Sequence, residues 1–146
     1  MKFKRILSVL MATICLCIGF GSTAYAEETN TYISDEVVPA YETAETISSV
    51  LSISGTKATY ESSAKGDDCV SITVTHTLQK YSGWFWIWDD VENSTSEKTV
   101  NTNTVMLSTT KSGLGSGTYR LQSTFSLTNS SGKVETITIY SGEKKI

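Results

Sequence analysis

Histidine, cysteine and proline are scarce in this 146-residue sequence, and this narrows the chemistry that it can carry. It contains one histidine, His76, so any histidine-based triad or acid–base pair would have to use that residue. The alternation around His76 places it on the inward face of a strand, which favours a half-buried structural histidine. No set of cysteines and histidines has the spacing of a metal site. We therefore expect no catalytic residue, no bound metal and no cofactor.

A surplus of basic residues is also missing. The chain has 12 Lys and Arg residues against 15 Asp and Glu residues, which gives a formal net charge of −3. Because binding to a nucleic-acid duplex requires a strongly basic surface, we expect no nucleic-acid partner. The length of 146 residues fits one folded domain and not two.

No apolar run is long enough to span a membrane. The main one, residues 6–20, follows a short basic stretch and precedes the small-residue sequence Ala24-Tyr25-Ala26. A bilayer span needs about 20 apolar residues, whereas a basic start, a short apolar run and a small-residue end are typical of a secretory signal peptide. The sequence therefore predicts a cleaved signal peptide over residues 1–26, secretion to the extracellular space and no stable membrane anchor.

The next segment, residues 27–45, combines six acidic residues with no Lys or Arg and holds the only proline, Pro39. Neither a helical nor a strand period runs through it. A charged segment with few apolar residues cannot offset the entropy that it loses on ordering. We therefore expect residues 27–45 to form a flexible acidic segment outside the fold.

One cysteine, Cys69, remains after the predicted signal peptide, so a disulfide within the mature chain is excluded. A free cysteine is usually buried, and we expect Cys69 to be a small buried hydrophobe at the start of a strand. An intermolecular disulfide and a reactive thiol are the alternatives.

Residues 46–146 show a β-sheet pattern throughout. Apolar and β-branched residues alternate with polar ones, and clusters of Gly, Asn, Asp and Ser interrupt the pattern at short intervals. The clearest strand has serine and threonine on one face and apolar residues on the other, namely Val70, Ile72, Val74 and Leu78. About seven short strands with no helical period are typical of two packed sheets. The sequence therefore predicts an all-β, two-sheet antiparallel Ig-like sandwich over residues 46–146.

Several segments of this region resemble a known group of proteins. They are ISSVLSISGTKAT, SITVTHTLQKYSG, the W-x-x-V element at Trp88 to Val91, and GTYRLQSTFSLTNSSGKVETITIYS. Over residues 47–141 the chain resembles small secreted Ig-like β-sandwich proteins of Gram-positive gut bacteria, a group without assigned function. The resemblance implies the sandwich fold and implies no particular activity.

The sequence departs from that group in an aromatic run, WFWIW, that follows a turn at Ser82-Gly83. In a strand, its three tryptophans share one face. We expect Trp88 to belong to the core, whereas Trp84, Phe85 and Trp86 lie nearer the turn and are candidates for an exposed ligand-binding patch. The alternative is that all of them pack against the sheet or against the acidic segment.

These observations favour a secreted, non-enzymatic extracellular binding module whose aromatic hairpin engages a ligand. Flat aromatic rings suit a sugar face, a lipid headgroup layer or a protein partner, so glycans, cell surfaces and extracellular proteins are the candidate partners. The alternative function is a secreted effector or antimicrobial protein that acts on membranes, with residues 27–45 as an inhibitory pro-segment.

Overall fold

The structure, a computed structural model, describes residues 41–146. The predicted signal peptide and residues 27–40 of the acidic segment lie outside the described residues. In the part of the chain that the structure describes, no helix is long and apolar enough to cross a membrane. The strands are β1 (Ala44–Ser54), β2 (Lys57–Gly66), β3 (Cys69–Ser82), β4 (Ile87–Asp90), β5 (Ser96–Val100), β6 (Thr104–Lys111), β7 (Thr118–Asn129), β8 (Val134–Tyr140) and β9 (Lys144–Lys145).

These strands form two antiparallel sheets. The first sheet has the order β1-β2-β6, and the second has the order β4-β3-β7-β8, in which β5 also pairs with β3 and β9 with β7. The chain passes from the first sheet to the second between β2 and β3, and again between β6 and β7. This strand order is that of an Ig-like sandwich, with seven strands of five residues or more. It confirms the predicted two-sheet antiparallel fold.

The long strand β3 has neighbours on both sides, and its apolar residues alternate with hydroxyl-bearing ones, so one face of the strand is apolar. Ile72 and Val74 point inward and are fully buried, as predicted. Val70 does not: it is 49% exposed, since the pairing with β7 shifts register between Cys69 and Ser71. The shift turns Cys69 inward, where it is buried as expected and its thiol donates to the carbonyl of Ser71.

A buried tyrosine fixes the start of β7. The hydroxyl of Tyr119 donates to the carbonyl of Gly115, four residues upstream, at 2.7 Å. This is the tyrosine-corner arrangement of Ig-like sandwiches. It holds the glycine-rich loop before β7 against one end of the domain.

The fold begins earlier in the chain than the acidic composition predicts. Glu135 on β8 directs its carboxylate at the residues before and at the start of β1. It accepts hydrogen bonds from the backbone N–H groups of Glu42, Thr43 and Ala44 at 3.0, 2.9 and 3.2 Å. The acidic, aperiodic sequence predicts that residues 41–45 lie outside the fold, but they lie on the sandwich, where one carboxylate satisfies three of their backbone donors.

Two apolar clusters fill the space between the sheets. The first centres on Ile72, Val74, Phe125 and Leu127. The second centres on Tyr60, Leu78, Tyr119 and Leu121. Each of these side chains is at most 2% exposed. Full burial of one large apolar side chain contributes about 1.5–3 kcal/mol, so these clusters supply much of the driving force for folding.

A continuous chain of polar side chains, here called the polar chain, runs between the two clusters. It joins one residue from each of five strands, in the order Ser49, Ser123, Ser62, His76 and Thr109. Successive polar atoms along it are 2.7, 2.7, 2.9 and 2.8 Å apart. Three members belong to the first sheet and two to the second, so the polar chain ties the sheets together in one register.

His76 is the centre of the polar chain and is fully buried. Its Nδ1 contacts the Ser62 hydroxyl, its Nε2 contacts the Thr109 hydroxyl, and its ring centroid lies 4.8 Å from that of Tyr60. Burial lowers the pKa of His76 from 6.5 to about 4, because removal from water disfavours the charged imidazolium. The imidazole is therefore neutral at pH 7, with one ring nitrogen donating and the other accepting.

We predict that the free energy of unfolding falls as the pH is lowered from 6.5 towards 4. The unfolded chain binds the His76 proton near pH 6.5, whereas the folded protein binds it only near pH 4, so protons favour the unfolded state across this window. The loss reaches on the order of 3 kcal/mol at pH 4. Urea denaturation at a series of pH values measures it.

His76→Gln removes the titrating group and should flatten the pH dependence across this window, although it also lowers stability at pH 7. Glu135→Gln is the matched control. Desolvation raises the pKa of Glu135, but its backbone donors and Lys133 lower it further, and the net pKa lies below the ordinary value of 4.5. Its contribution is therefore lost only at more acidic pH. A His76→Gln protein with the wild-type slope between pH 6.5 and 4 would contradict this assignment.

Candidate functional site

Three consecutive aromatic residues, Trp84, Phe85 and Trp86, form the apex of the hairpin between β3 and β4; we call them the aromatic tip. Their exposed fractions are 84%, 67% and 83%. The structure therefore brings the three candidate ligand-binding residues together on the surface. They lie in a turn and β4 begins only at Ile87, so the expectation that the tryptophans share one strand face is wrong.

Trp86 adopts a backbone conformation that bulky residues rarely take. Its φ is 58°, in the left-handed region that glycine and asparagine favour. An ordinary residue loses roughly 1–2 kcal/mol there, because its Cβ crowds the following carbonyl oxygen. The exposed indole buries too little surface to offset this cost. Packing within the domain therefore does not explain why a tryptophan occupies this position.

Trp88 does not belong to the core between the sheets, and this expectation is wrong. It is half-buried on the outer face of the second sheet, the face turned away from the first sheet. Its ring centroid lies 5.3 Å from that of Tyr81 on β3. The guanidinium of Arg120 lies 4.2 Å from the ring centroid of Trp88 and 4.0 Å from that of Tyr140, so it contacts two aromatic side chains. Trp88 faces outward because β4 pairs Trp88 with Tyr81, whose side chain also points outward.

An open groove of about 490 Å³ lies at the base of the same hairpin. It is lined by the flanks of β3 and β4, by residues 91–93 and by the glycine-rich loop that Tyr119 anchors. Lys80 and Lys111 contribute positive charge to it, and Asp89, Asp90 and Glu92 contribute negative charge. The lining is therefore mixed in sign, and polar ligands of low net charge suit it better than strongly charged ones.

The buried Ser62–His76 pair has the distance of a nucleophile and its base but lacks the other features of a catalytic site. Both side chains are fully buried, and no substrate reaches the Ser62 hydroxyl. The second ring nitrogen contacts the Thr109 hydroxyl, whereas a catalytic histidine is commonly oriented by a carboxylate. The pair is therefore explained by its place in the polar chain. Among residues 41–146, no group of three or more His, Cys, Asp and Glu side chains is placed to hold a metal ion.

Arg120 and Tyr140 are surface features that no pattern in the sequence indicates. Arg120 occupies an outward position of β7, where a charged residue is ordinary. Its neighbours Trp88 and Tyr140 come from strands far away in sequence, so the stacking becomes visible only once the strand order is known. The alternation of β7 indicates only that Arg120 points outward.

A scan against protein-family models and a search of curated proteins each gave no match. The function is therefore inferred from the residues of this chain alone.

We predict opposite effects on stability at the tip and beside it. Trp84→Ala should change the free energy of unfolding by less than about 0.5 kcal/mol, because the exposed side chain supports nothing. Trp88→Ala should lower it by about 1–3 kcal/mol, because the contacts with Tyr81 and Arg120 are lost. Trp86→Gly should keep or raise it, by up to about 1 kcal/mol, since glycine accepts a positive φ. Urea denaturation at pH 7 compares the three variants.

A Trp84→Ala protein that is as destabilised as Trp88→Ala would contradict the exposed tip. A Trp86→Gly protein less stable than wild type by more than about 1 kcal/mol would show that the indole is packed.

Proposed function

We propose that this protein is a secreted, non-enzymatic binding module that contacts its ligand through the aromatic tip. The observation that carries the proposal is the joint exposure of Trp84, Phe85 and Trp86, at 84%, 67% and 83%. A contiguous exposed apolar patch usually marks an interaction surface. Tryptophan is also among the residues that contribute most to binding energy at such surfaces.

The backbone of the tip supports the same proposal. Trp86 holds a left-handed conformation at a cost in stability, and its indole is exposed. The side chain of Ile87, the next residue, is also 47% exposed. An arrangement that lowers stability and buries little apolar surface is consistent with selection for contact with another molecule.

Binding fits the placement of the titratable groups better than catalysis does. His76 is enclosed in the polar chain and is neutral at pH 7. A general acid or base must reach the proton that it transfers, and this imidazole is separated from solvent on all sides. The proposed secretion rests on the signal-peptide pattern of residues 1–26.

Among the candidate partners, which are glycans, cell surfaces and extracellular proteins, we favour a glycan. The tip is followed after one residue by Trp88, which stacks on Arg120 beside the amide of Gln79. Sugar rings present both apolar faces and many hydroxyl groups, so a surface that combines aromatic rings with hydrogen-bonding side chains suits them.

A membrane-active effector is the second candidate, and the absence of charge at the apex favours it. Residues 81–88 contain no charged side chain. Aromatic side chains with polar edges prefer the boundary between water and lipid, so an uncharged aromatic apex could enter a headgroup layer. In this version the part of the acidic segment 27–45 that precedes the sandwich acts as an inhibitory pro-segment. Mass spectrometry of the secreted product tests it: an N-terminus at Glu27 without further processing contradicts the pro-segment.

The experiment that tests the proposed function compares the wild type with the double variant Trp84→Ala/Trp86→Gly. Retention on insoluble bacterial cell-wall glycan and on immobilised mucin is measured, together with tryptophan fluorescence during titration with soluble fragments of each. We expect the wild type to bind at least one of them and the double variant to bind at least about tenfold more weakly, because two contact residues are lost. The double variant should remain folded, since both side chains are exposed.

Met106→Ala and Val134→Ala are matched controls, because each removes an apolar side chain that is 56% exposed elsewhere on the domain. They should bind as the wild type does. Cosedimentation with zwitterionic and anionic phospholipid vesicles forms the second arm. Binding to vesicles alone supports the membrane candidate and overturns the glycan version. Binding that the double variant retains in full overturns the role of the tip.

A further inference from the structure

Arg120 on β7 is held in one orientation on the outer face of the second sheet. Its guanidinium lies 4.2 Å from the ring centroid of Trp88 and 4.0 Å from that of Tyr140. Its Nε donates to the side-chain carbonyl of Gln79 at 2.9 Å. Contact with two aromatic rings and one hydrogen bond from Nε together restrict the orientation of the guanidinium.

Gln79 is itself fixed, so the orientation of Arg120 does not rest on a mobile surface partner. Its amide nitrogen donates to the carboxylate of Asp90 at 2.9 Å and to the side-chain carbonyl of Gln122 at 2.8 Å. It is only 7% exposed, although it points away from the core. A buried amide with its oxygen and nitrogen in use forms a rigid support for Arg120.

The far end of the guanidinium has no partner in the domain. None of the ion pairs of residues 41–146 includes Arg120, and its only hydrogen bond there leaves from Nε. No buried side-chain nitrogen of the described residues lacks a partner, so the two Nη groups face solvent. A guanidinium with a restricted orientation and free Nη–H groups matches the geometry of a carboxylate, which accepts two parallel hydrogen bonds.

The surroundings of Arg120 restrict the kind of anion. Outward side chains of the second sheet are mostly hydroxyl-bearing, aromatic or amide residues. Among the described strands of this sheet, the two outward cations are Arg120 on β7 and Lys145 on β9, which pairs with Thr118. A multiply charged polymer or a phosphorylated peptide would require several cations close together. A ligand with an isolated carboxylate on an otherwise neutral, hydroxyl-rich body suits this face better.

We propose that Arg120 binds the carboxylate of an acidic saccharide, such as a uronic or sialic acid unit, whose neighbouring sugar rings contact Trp88, Tyr140 and the aromatic tip. The inference rests on the proposed function, since it names the glycan class that the tip engages. Contiguity supports it: only Ile87 separates Trp86 of the tip from Trp88, which stacks on Arg120. In this proposal Trp88 and Tyr140 supply the aromatic contacts of the binding site, and the guanidinium supplies its positive charge.

The negative charge of Asp90 limits the affinity of Arg120 for an anionic ligand, and replacing Asp90 tests the proposal. Its carboxylate lies on the same face and joins Arg120 through Gln79, and it belongs to no ion pair with Arg120. It therefore repels an incoming carboxylate without neutralising the guanidinium. Replacing it by the neutral Asp90→Asn, which keeps a carbonyl oxygen for Gln79, should strengthen binding of an anionic ligand.

The experiment measures binding of a panel of galacturonate, glucuronate and sialic acid oligosaccharides by calorimetry, each beside its uncharged methyl ester. We expect at least one acid to bind the wild type about tenfold or more tightly than its ester, as loss of a hydrogen-bonded charge pair implies. Arg120→Gln should abolish that preference, and Arg120→Lys should retain only part of it, because a lysine lacks the planar fork. Asp90→Asn should bind the acid about two- to fivefold more tightly.

Lys57→Gln is the matched control, because it removes one positive charge outside the second sheet; its preference should equal that of the wild type. Thermal unfolding verifies that each variant is folded. Absence of binding by every acid, equal binding of acid and ester, or a preference that survives Arg120→Gln would overturn the inference. A peptide with a free C-terminal carboxylate that binds as tightly as the best saccharide would overturn the saccharide assignment.

Failure of this inference is distinguishable from failure of the proposed function. Neutral glycan binding that depends on Trp84 and Trp86, with no effect of Arg120→Gln, removes the role of Arg120 and leaves the aromatic tip as the contact. Acid binding that depends on Arg120 but not on the tip removes the proposed role of the tip.

Discussion

The fold depends on one arrangement, the polar chain that crosses the interior of the sandwich between two apolar clusters. It takes one side chain from each of five strands and centres on His76, which is buried and neutral. Apolar side chains can slide over one another at small cost, but a buried hydrogen bond tolerates little displacement before a polar group is left unpaired. The polar chain therefore fixes how the sheets sit on each other, whereas the apolar clusters supply most of the favourable free energy.

Because buried side chains hold the two sheets together, the exposed side chains of the domain are not needed for its fold. The most exposed large aromatic residues of the described chain are concentrated in one turn, and the adjoining outer face carries a guanidinium in contact with two rings. Both features lie on or beside the hairpin that Trp88 anchors against Arg120. The tip itself contributes nothing to the interior, and the positive φ of Trp86 lowers the stability of its turn. The proposed contact surface at the tip is therefore separate from the interior that stabilises this small domain.

Patterns that depend on neighbouring residues were predictable from the sequence, and those that depend on strand order were not. The alternation of Ile72 and Val74 identified a buried strand face, and the spacing of turn residues indicated a two-sheet sandwich. The W-x-x-V element at Trp88 predicts a core position for that tryptophan, yet pairing with Tyr81 turns it outward. The stack around Arg120 and the five members of the polar chain come from separate strands. No local sequence pattern shows that the members of either set lie close together.

The central claim is that the aromatic tip contacts the ligand. Fluorine NMR of protein labelled with 5-fluorotryptophan tests it directly, because the chain contains three tryptophans and each gives its own resonance. A soluble paramagnetic agent should broaden the signals of Trp84 and Trp86 strongly and that of the half-buried Trp88 less. Addition of a bound oligosaccharide should protect Trp84 and Trp86 from this broadening. A ligand that binds while both signals remain as broad as before would contradict the claim.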